Sequence, residues 1–303
     1  MVDTLKKIVG EGSVLSDGKE KSRFDHIWKT DIPTNAIAVV FPKDTDELSS
    51  IMKVCFENNQ KILVQGGLTN LVGSTKTFKD EIIVSLDRMN KIEEIDEKSR
   101  TITLQSGVIV EDAINAVNEK DLLLPLNFGA KGSAQIGGVV STNAGGLRVI
   151  KYGMTRGLVL GLEAVLSNGE IISSMKKVIK DNSGYDLKQI FIGSEGTLGI
   201  VTKVILKLEE KPESRCSALV ALNSYDNVVN LLKFIEKGLS GTLTGFELMW
   251  NDTYKTMRDS SENFSPLLPS IHPFYVFIES LGSNLNSDFD KLSELISKAA
   301  EQN

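Results

Sequence analysis

Between residues 124 and 147 the chain reads LPLNFGAKGSAQIGGVVSTNAGGL. This stretch holds six of the protein's 25 glycines, Gly129, Gly132, Gly137, Gly138, Gly145 and Gly146, and one charge, Lys131, in a chain that is 24% charged. A flexible linker would set its glycines among solvating polar residues. Here they stand among Leu, Ile, Val and Phe, which marks a segment that folding buries. Glycine lets a second surface come close to the backbone, and the accompanying Ser133, Ser141, Thr142 and Asn143 are small hydroxyls and amides. The pattern suits the wall of a large-ligand pocket or a tightly packed core turn. Two further glycine-rich stretches, 65–75 and 193–199, favour the pocket.

Around these stretches the periodicity is that of a mixed α/β protein. Residues 1–30 read as a short helix and then a polar, irregular arm, with Phe24, His26 and Trp28 as anchors. Residues 36–41 (AIAVVF) are a β run closed by Pro42. In Asp44-Thr45-Asp46-Glu47 an acceptor precedes a Glu by three residues, the spacing of a capping box. Leu48, Ile51, Met52, Cys55 and Phe56 give the helix that follows its apolar stripe. A strand at 61–65 (KILVQ) completes a strand–helix–strand start, which predicts a parallel unit. Strands follow at 81–86, 91–95 and 100–105, then a helix at 110–119 with Val110, Ala113, Ile114 and Val117 on one face, and a short helix at 136–143. Ser167-Asn168-Gly169 between two apolar runs is a hairpin signal, and 199–208 is a strand. A chain of 303 residues predicts two domains, and the charged, proline-containing stretch 209–213 marks their boundary. Beyond it come strands at 216–222, 243–249 and 274–279 and helices at 225–236, near 253 and at 288–300.

Several classes of function are disfavoured. A net charge of −6 offers no basic field for nucleic acid. No apolar run approaches the roughly 18 residues of a membrane span. The start, MVDTLKKIVGEGSV, has neither the apolar core of a secretory signal nor the Arg- and Ser-rich character of a transit peptide, so the cytoplasm is expected, or the mitochondrial matrix in a eukaryote. Cys55 and Cys216 lie far apart in apolar surroundings and read as reduced core thiols. His26 and His272 have no Cys or carboxylate at ligand spacing, so no metal site is expected. The chain contains no G-x-S-x-G, H-E-x-x-H or C-x-x-C.

What remains points to cofactor binding. Residues 65–75 (QGGLTNLVGST) can offer backbone N–H groups to a phosphate, as nests do. They are not a P-loop, because no lysine follows Gly73, and no Rossmann G-x-G-x-x-G occurs. Glu195, a carboxylate among glycines, contacts a cofactor or caps a turn. Arg148 and Lys151, flanking Tyr152, meet a phosphate or a substrate carboxylate, or are surface charges. From the residues alone this is an α/β nucleotide- or cofactor-binding protein with its chemistry unassigned. A bound redox cofactor would account for the scarcity of catalytic side chains.

Three blocks carry a resemblance to a known family: 65–74 (QGGLTNLVGS), 124–146 with Leu147-Arg148 and Tyr152-Gly153, and 180–200 (KDNSGYDLKQIFIGSEGTLGI). They resemble the FAD-linked oxidases of the vanillyl-alcohol oxidase type, whose flavin domain is called PCMH-type. Within that family they are most similar to the D-2-hydroxyglutarate dehydrogenases, with D-lactate and glycolate dehydrogenases as near relatives. The resemblance implies an α+β fold: an N-terminal arm (1–30), a two-subdomain PCMH-type FAD-binding domain (31–211), and a partial α/β substrate, or cap, domain (212–303). It carries the family's pyrophosphate loop over to Gly66, Gly67, Leu68, Thr69, Asn70 and Leu71. Glycine is usual at the position of Asn70, and Asn is the next most tolerant of a left-handed backbone. Pro125, Gly129, Ala130, Gly137, Gly138, Thr142, Asn143, Gly145 and Gly146 match flavin-contact positions. Glu195, Gly199 and Ile200 match the part near the adenosine and pyrophosphate.

The resemblance further implies noncovalent FAD, since no His or Cys stands at an attachment position in these blocks. The reaction it implies is oxidation of a small D-2-hydroxy acid to the 2-oxo acid: a base takes the hydroxyl proton while hydride passes from Cα to flavin N5. Electrons then pass to a carrier such as an electron-transfer flavoprotein. In the family the protein that follows this region supplies the substrate arginine, the metal-binding histidines and the catalytic histidine. His26 and His272 do not match those positions, so no catalytic residue is assigned here, and a longer gene product or a separate C-terminal chain is expected to supply them. The other reading is a non-catalytic flavin-binding or partner-binding subunit. The NADPH-dependent cell-wall precursor reductase of the same fold is disfavoured by the long match at 180–200.

Overall fold

The computed structural model describes residues 1–23, 32–260 and 266–301. The expected anchors Phe24, His26 and Trp28 lie outside the described residues. The chain divides into two compact units, Met1–Ala144 with Met154–Glu210, and Gly145–Gly153 with Lys211–Asn303.

The first unit is built on two sheets. The smaller has the order β1-β2-β4-β3, from β1 (Val14–Leu15), β2 (Ala38–Val40), β3 (Ile62–Gln65) and β4 (Ile82–Ser85). β2 and β3 both run parallel to β4, as the strand–helix–strand pattern predicts. β1 pairs antiparallel with β2, and two 3-10 turns flank it, so residues 11–22 are more ordered than the irregular arm expected there. Helix α1 (Val2–Val9) buries Leu5, and α2 (Thr45–Glu57) buries Leu48, Ile51, Met52 and Cys55 in one core with Ile82 and Val84. Phe56, expected in that stripe, is instead 57% exposed. The Glu47 N–H donates to Asp44 Oδ1 at 2.8 Å, while Glu47 Oε2 accepts from the Lys43 N–H at 3.0 Å, one residue earlier than in a regular capping box.

The larger sheet is antiparallel, in the order β5-β6-β10-β8-β9. Its strands are β5 (Ile92–Asp96), β6 (Thr101–Gln105), β8 (Val159–Val165), β9 (Ile171–Ser174) and β10 (Ile200–Lys207). Helices α3 (Val110–Asn118) and α4 (Ile136–Ser141) share its core, with Val110, Val117, Ile136 and Val140 among Ile102, Leu104, Leu162 and Val204. A short pair, β7 (Leu122–Leu123) with β11 (Glu209–Glu210), lies beside them in sequence. The hairpin joining β8 and β9 has only Gly169 left-handed (φ 85°), and its N–H reaches the Leu166 carbonyl. That is a turn closed by a left-handed glycine, the three-residue form. Val165 and Ile200 reach into the smaller sheet's core, and Glu163 Oε1 accepts from Thr45 Oγ1 (2.7 Å) and Thr202 Oγ1 (2.8 Å). The two sheets of this unit are thereby fastened to each other.

The second unit holds an antiparallel sheet in the order β12-β14-β13, from β12 (Ser214–Leu222), β13 (Leu243–Trp250) and β14 (Phe274–Gly282). Helix α5 (Tyr225–Leu239) starts on Ser224, whose Oγ accepts the Asn227 N–H, and buries Val228, Leu231, Ile235 and Leu239. They pack with Val276 and Ile278 of the sheet and with Leu292 and Ala299 of α7 (Leu285–Glu301). Helix α6 (Asn251–Asp259) buries Tyr254, stacked on Tyr275 at 4.0 Å between centroids.

Candidate cofactor site

In the first unit the three glycine-rich stretches converge. β3 ends on the fully buried Gln65 and runs straight into Gly66-Gly67. A Cβ on Gly67 would stand 2.0 Å from the Ser133 carbonyl oxygen, so the 66–67 backbone lies directly against the 133–134 backbone. A Cβ on Gly137 would stand 2.6 Å from Ser106 Cβ, and the Gly137 N–H donates to the Ser106 carbonyl at 2.7 Å. The third stretch joins at two points. The Gly193 and Glu195 N–H groups donate to the Val140 and Ser141 carbonyls at 3.2 and 2.9 Å. A Cβ on Gly196 would stand 2.7 Å from Val64 Cγ1. The segments 64–67, 133–137, 140–143 and 193–196 therefore form a closed ring, joined through backbone contacts and, between 196 and 64, through the Val64 side chain.

The 66–71 loop is the part of this ring with spare donors. The N–H groups of Gly66, Gly67, Leu68 and Thr69 donate to nothing among the described residues. Leu68 has φ 55°, which turns successive N–H groups toward one side. The left-handed residue is thus Leu68, not Asn70 as the glycine usual at that place implied. Asn70 is held through its side chain, whose Oδ1 accepts the Val72 and Gly73 N–H groups at 3.2 and 3.0 Å. Leu71 is exposed.

The other expected contacts take varied places. Gly138, in α4, and Gly129 have open space where a Cβ would go. The Ala130 carbonyl accepts from Ser133 and Ala134, which shapes the turn into α4. Pro125 is buried between the core residues Leu124 and Leu126. Thr142 is exposed and its Oγ1 donates back to Gly138. Asn143, left-handed at φ 48°, accepts the Arg156 N–H at 2.9 Å. The Arg156 guanidinium in turn donates to the Gln189 carbonyl (2.6 Å) and to the Ile192 carbonyl, holding the approach to Gly193. Gly199 has no room for a side chain, with the Val165 carbonyl 2.9 Å from its Cβ position, and Ile200 is buried at the start of β10. Glu195 is exposed at φ 52°, and its backbone makes the contact to Ser141. Gly145 and Gly146 open the segment Gly145–Gly153, which belongs to the second unit.

Two amide side chains that the motif reading passed over stand at the ring. Gln135 is 7% exposed and Gln65 fully buried, and the Oε1 of each has no hydrogen-bond partner among the described residues. Each amide is oriented from its nitrogen end, Gln65 Nε2 donating to the Thr75 carbonyl (3.2 Å) and Gln135 Nε2 to Asp87 Oδ1 (2.7 Å). Burial works against charge on Asp87, but Arg23, at 2.7 Å, outweighs it, with Gln135 and Ser85 contributing, and holds the carboxyl below its usual range. The sequence signal was a glutamine embedded in apolar and small residues on both sides, in LVQGG and SAQIGG.

Arg148 answers to neither of its sequence readings. Its Nε and Nη2 lie 2.9 and 3.3 Å from the two oxygens of Glu279, a fully buried residue of β14 in the same unit. Arg215 Nε (2.8 Å) and Thr244 Oγ1 (3.0 Å) complete that carboxylate's partners. Lys151 Nζ sits 5.3 Å from the Tyr152 ring centroid. His272 Nδ1 lies 2.9 Å from Asn223 Oδ1.

Residues 36–174 match the family model described as an FAD binding domain. That segment carries an FAD binding domain. Curated relatives include the putative mitochondrial D-lactate dehydrogenase of Schizosaccharomyces pombe, 40% identical over 99% of this chain and 58% of the relative. The mitochondrial D-2-hydroxyglutarate dehydrogenase of Arabidopsis thaliana is 38% identical over 99% of this chain and 54% of its own length. The D-2-hydroxyglutarate–pyruvate transhydrogenase of Saccharomyces cerevisiae is 38% identical over 96% and 59%. The chain thus spans a little over half the length of these relatives. The fold is shared with alkyldihydroxyacetonephosphate synthase (TM-score 0.80, 16% identity, 99% of this chain and 58% of that one) and with p-cresol methylhydroxylase (0.76, 17%, 99% and 63%). Among the described residues no helix is long and apolar enough to cross a membrane.

The ring's chemistry fits a dinucleotide. Unpaired N–H groups on a left-handed turn suit a diphosphate, glycines without Cβ leave the approach clear, and unpaired buried amide oxygens call for ligand donors.

Proposed function

We propose that this chain is the FAD-binding part of a dehydrogenase that oxidises a small D-2-hydroxy acid, D-2-hydroxyglutarate first among them, to the 2-oxo acid. The observation that carries the reading is the run of four N–H groups at residues 66–69 without a partner among the described residues, walled by glycines that admit no side chain. Gly66, Gly67, Leu68 and Thr69 hold the diphosphate, with Asn70 and Leu71 completing the loop. Pro125, Gly129, Ala130, Gly137, Gly138, Thr142, Asn143, Gly145 and Gly146 hold the flavin end. Glu195, Gly199 and Ile200 hold the adenosine end. When bound, FAD supplies the two-electron acceptor that the chain's own side chains lack. Binding is noncovalent, turnover is a property of the full length over which the relatives extend, and an electron-transfer flavoprotein or a similar carrier takes the electrons.

The support for the substrate class is the names of relatives 38–40% identical to this chain. The test is anaerobic addition of D-2-hydroxyglutarate, D-lactate and glycolate to the FAD-loaded full-length gene product. The reading expects D-2-hydroxyglutarate to bleach the flavin band fastest and its L-enantiomer to leave the band intact. Equal bleaching by both enantiomers, or by neither, would refute it.

A further inference from the structure

Gln135 is the ring amide whose hydrogen-bonding sense is dictated from behind by a carboxylate. The Asp87 carboxylate is an acceptor only. It is kept charged by Arg23 at 2.7 Å, so Gln135 must turn its NH2 toward it, as the 2.7 Å contact from Nε2 shows. The amide oxygen is thereby forced to the opposite side. There it lies 3.2 Å from the place a Gly66 Cβ would occupy, and only glycine at 66 leaves it uncovered. It has no partner among the described residues although the residue is 7% exposed. Leaving a buried acceptor unpaired is destabilising, and three residues, Arg23, Asp87 and Gln135, are arranged so that it stays so.

We infer that Gln135 is a cofactor-binding residue and Asp87 its positioning residue: the Gln135 amide oxygen accepts a hydrogen bond from a sugar hydroxyl next to the diphosphate of the bound dinucleotide. The inference rests on the FAD reading above. The acceptor borders the 66–69 donor run, so what faces it lies beside the diphosphate. It cannot be a phosphate oxygen, since two acceptors repel. In FAD the groups flanking the diphosphate that can donate are the ribityl hydroxyls on one side and the adenosine ribose hydroxyls on the other. The acceptor at Gln135 and the donors at 66–69 together present the alternation a sugar–diphosphate requires.

The test is FAD affinity of the purified 303-residue protein, by quenching of flavin fluorescence, for wild type, Gln135→Met and Asp87→Asn. Methionine keeps the length of the side chain and removes the acceptor. The expected result is FAD binding about tenfold weaker in Gln135→Met, the loss of one hydrogen bond with its donor left buried. Competition with ADP and with FMN locates the hydroxyl: a matching loss for ADP places it on the ribose, and for FMN on the ribityl chain. Asp87→Asn, which no longer dictates the amide's orientation, is expected to weaken FAD about threefold in the wild-type background and not at all in Gln135→Met, since residues acting through one contact are not additive. Two independent structural defects would instead add. Should Gln135→Met not fold, Asp87→Asn carries the test alone. Gln135→Met or Asp87→Asn binding FAD within twofold of a wild type that binds it would overturn this inference and leave the FAD reading standing. Failure of the wild type to bind FAD would sink both.

Discussion

Gly67→Ala is the substitution that the geometry of the ring condemns most clearly. The added Cβ would stand 2.0 Å from the Ser133 carbonyl oxygen, 2.9 Å from its carbon and 3.0 Å from Ala134 Cα. All three are backbone atoms, so no rotamer change relieves the contact. Ordinary contact begins near 3.4 Å, so the 66–67 and 133–134 segments must part by about 1.4 Å. Gly67 does not have a left-handed φ, so the penalty is steric alone. Overpacking costs about 1–3 kcal/mol, and a clash between two backbones belongs at the upper end. A loss of about 3 kcal/mol lowers the melting temperature of a unit of this size by roughly 6–12 °C. The control is Gly138→Ala, which has open space for its Cβ and lies in α4. There alanine is expected to stabilise the cofactor-free protein by about 0.5 kcal/mol while its methyl group intrudes on the cofactor. Calorimetry of both variants without FAD, and fluorescence titration with it, separates the effects. An unchanged melting temperature for Gly67→Ala would refute the ring of contacts as described, and FAD binding at wild-type strength in Gly138→Ala would refute the proposed place of Gly138 at the cofactor.

Three further outcomes are expected. Glu279→Gln leaves Arg148 and Arg215 facing a neutral amide and costs about 3 kcal/mol, as breaking a buried ion pair does, read as a lower urea midpoint. Burial pushes the Glu279 carboxyl up, but Arg148, Thr244 and Arg215 outweigh it and hold the pKa below the ordinary value. Its contribution is therefore complete above about pH 4.3 and lost as pH falls through the lower folded value. The acid loss of stability should shrink in the glutamine variant, and an identical acid profile would contradict the assignment. Cys55, with burial pushing its thiol up to about 11, and the buried Cys216 are expected to resist Ellman's reagent at pH 8 in the native protein and to react, two per chain, in guanidinium. Asp44→Ala removes the acceptor for the Glu47 N–H and is expected to lower stability by about 1 kcal/mol, measured by urea unfolding.

The elements were legible because their signals are local. The apolar run within residues 81–86 and the 48–51–52–55 stripe each follow from one segment's own pattern, and the Asp44 cap from four residues. The glycine stretches were legible as close-packed segments because glycine among apolar residues lets backbones approach, as Gly67 and Gly137 do. What the sequence hid depends on which distant segments meet. Nothing near Arg148 in the chain announces Glu279, 131 residues away, so its buried pairing could not be told from a surface charge. Asn70 carried a plausible left-handed reading, yet the loop places that conformation at Leu68 and uses the Asn side chain as an acceptor instead. Gln135 lies within a glycine-rich motif, but an amide's orientation depends on what holds its nitrogen, and Asp87 lies 48 residues earlier. The short β1 was missed because two residues give no period to read; its partner β2 defines it.

We propose above that residues 66–69 and the surrounding glycines hold FAD without a covalent bond. The most direct measurement is titration of the purified 303-residue protein with FAD, followed by acid precipitation and a spectrum of the supernatant. The account predicts one FAD per chain, released whole into the supernatant. No uptake of FAD by the folded protein, or flavin absorbance that stays with the precipitate, would contradict it.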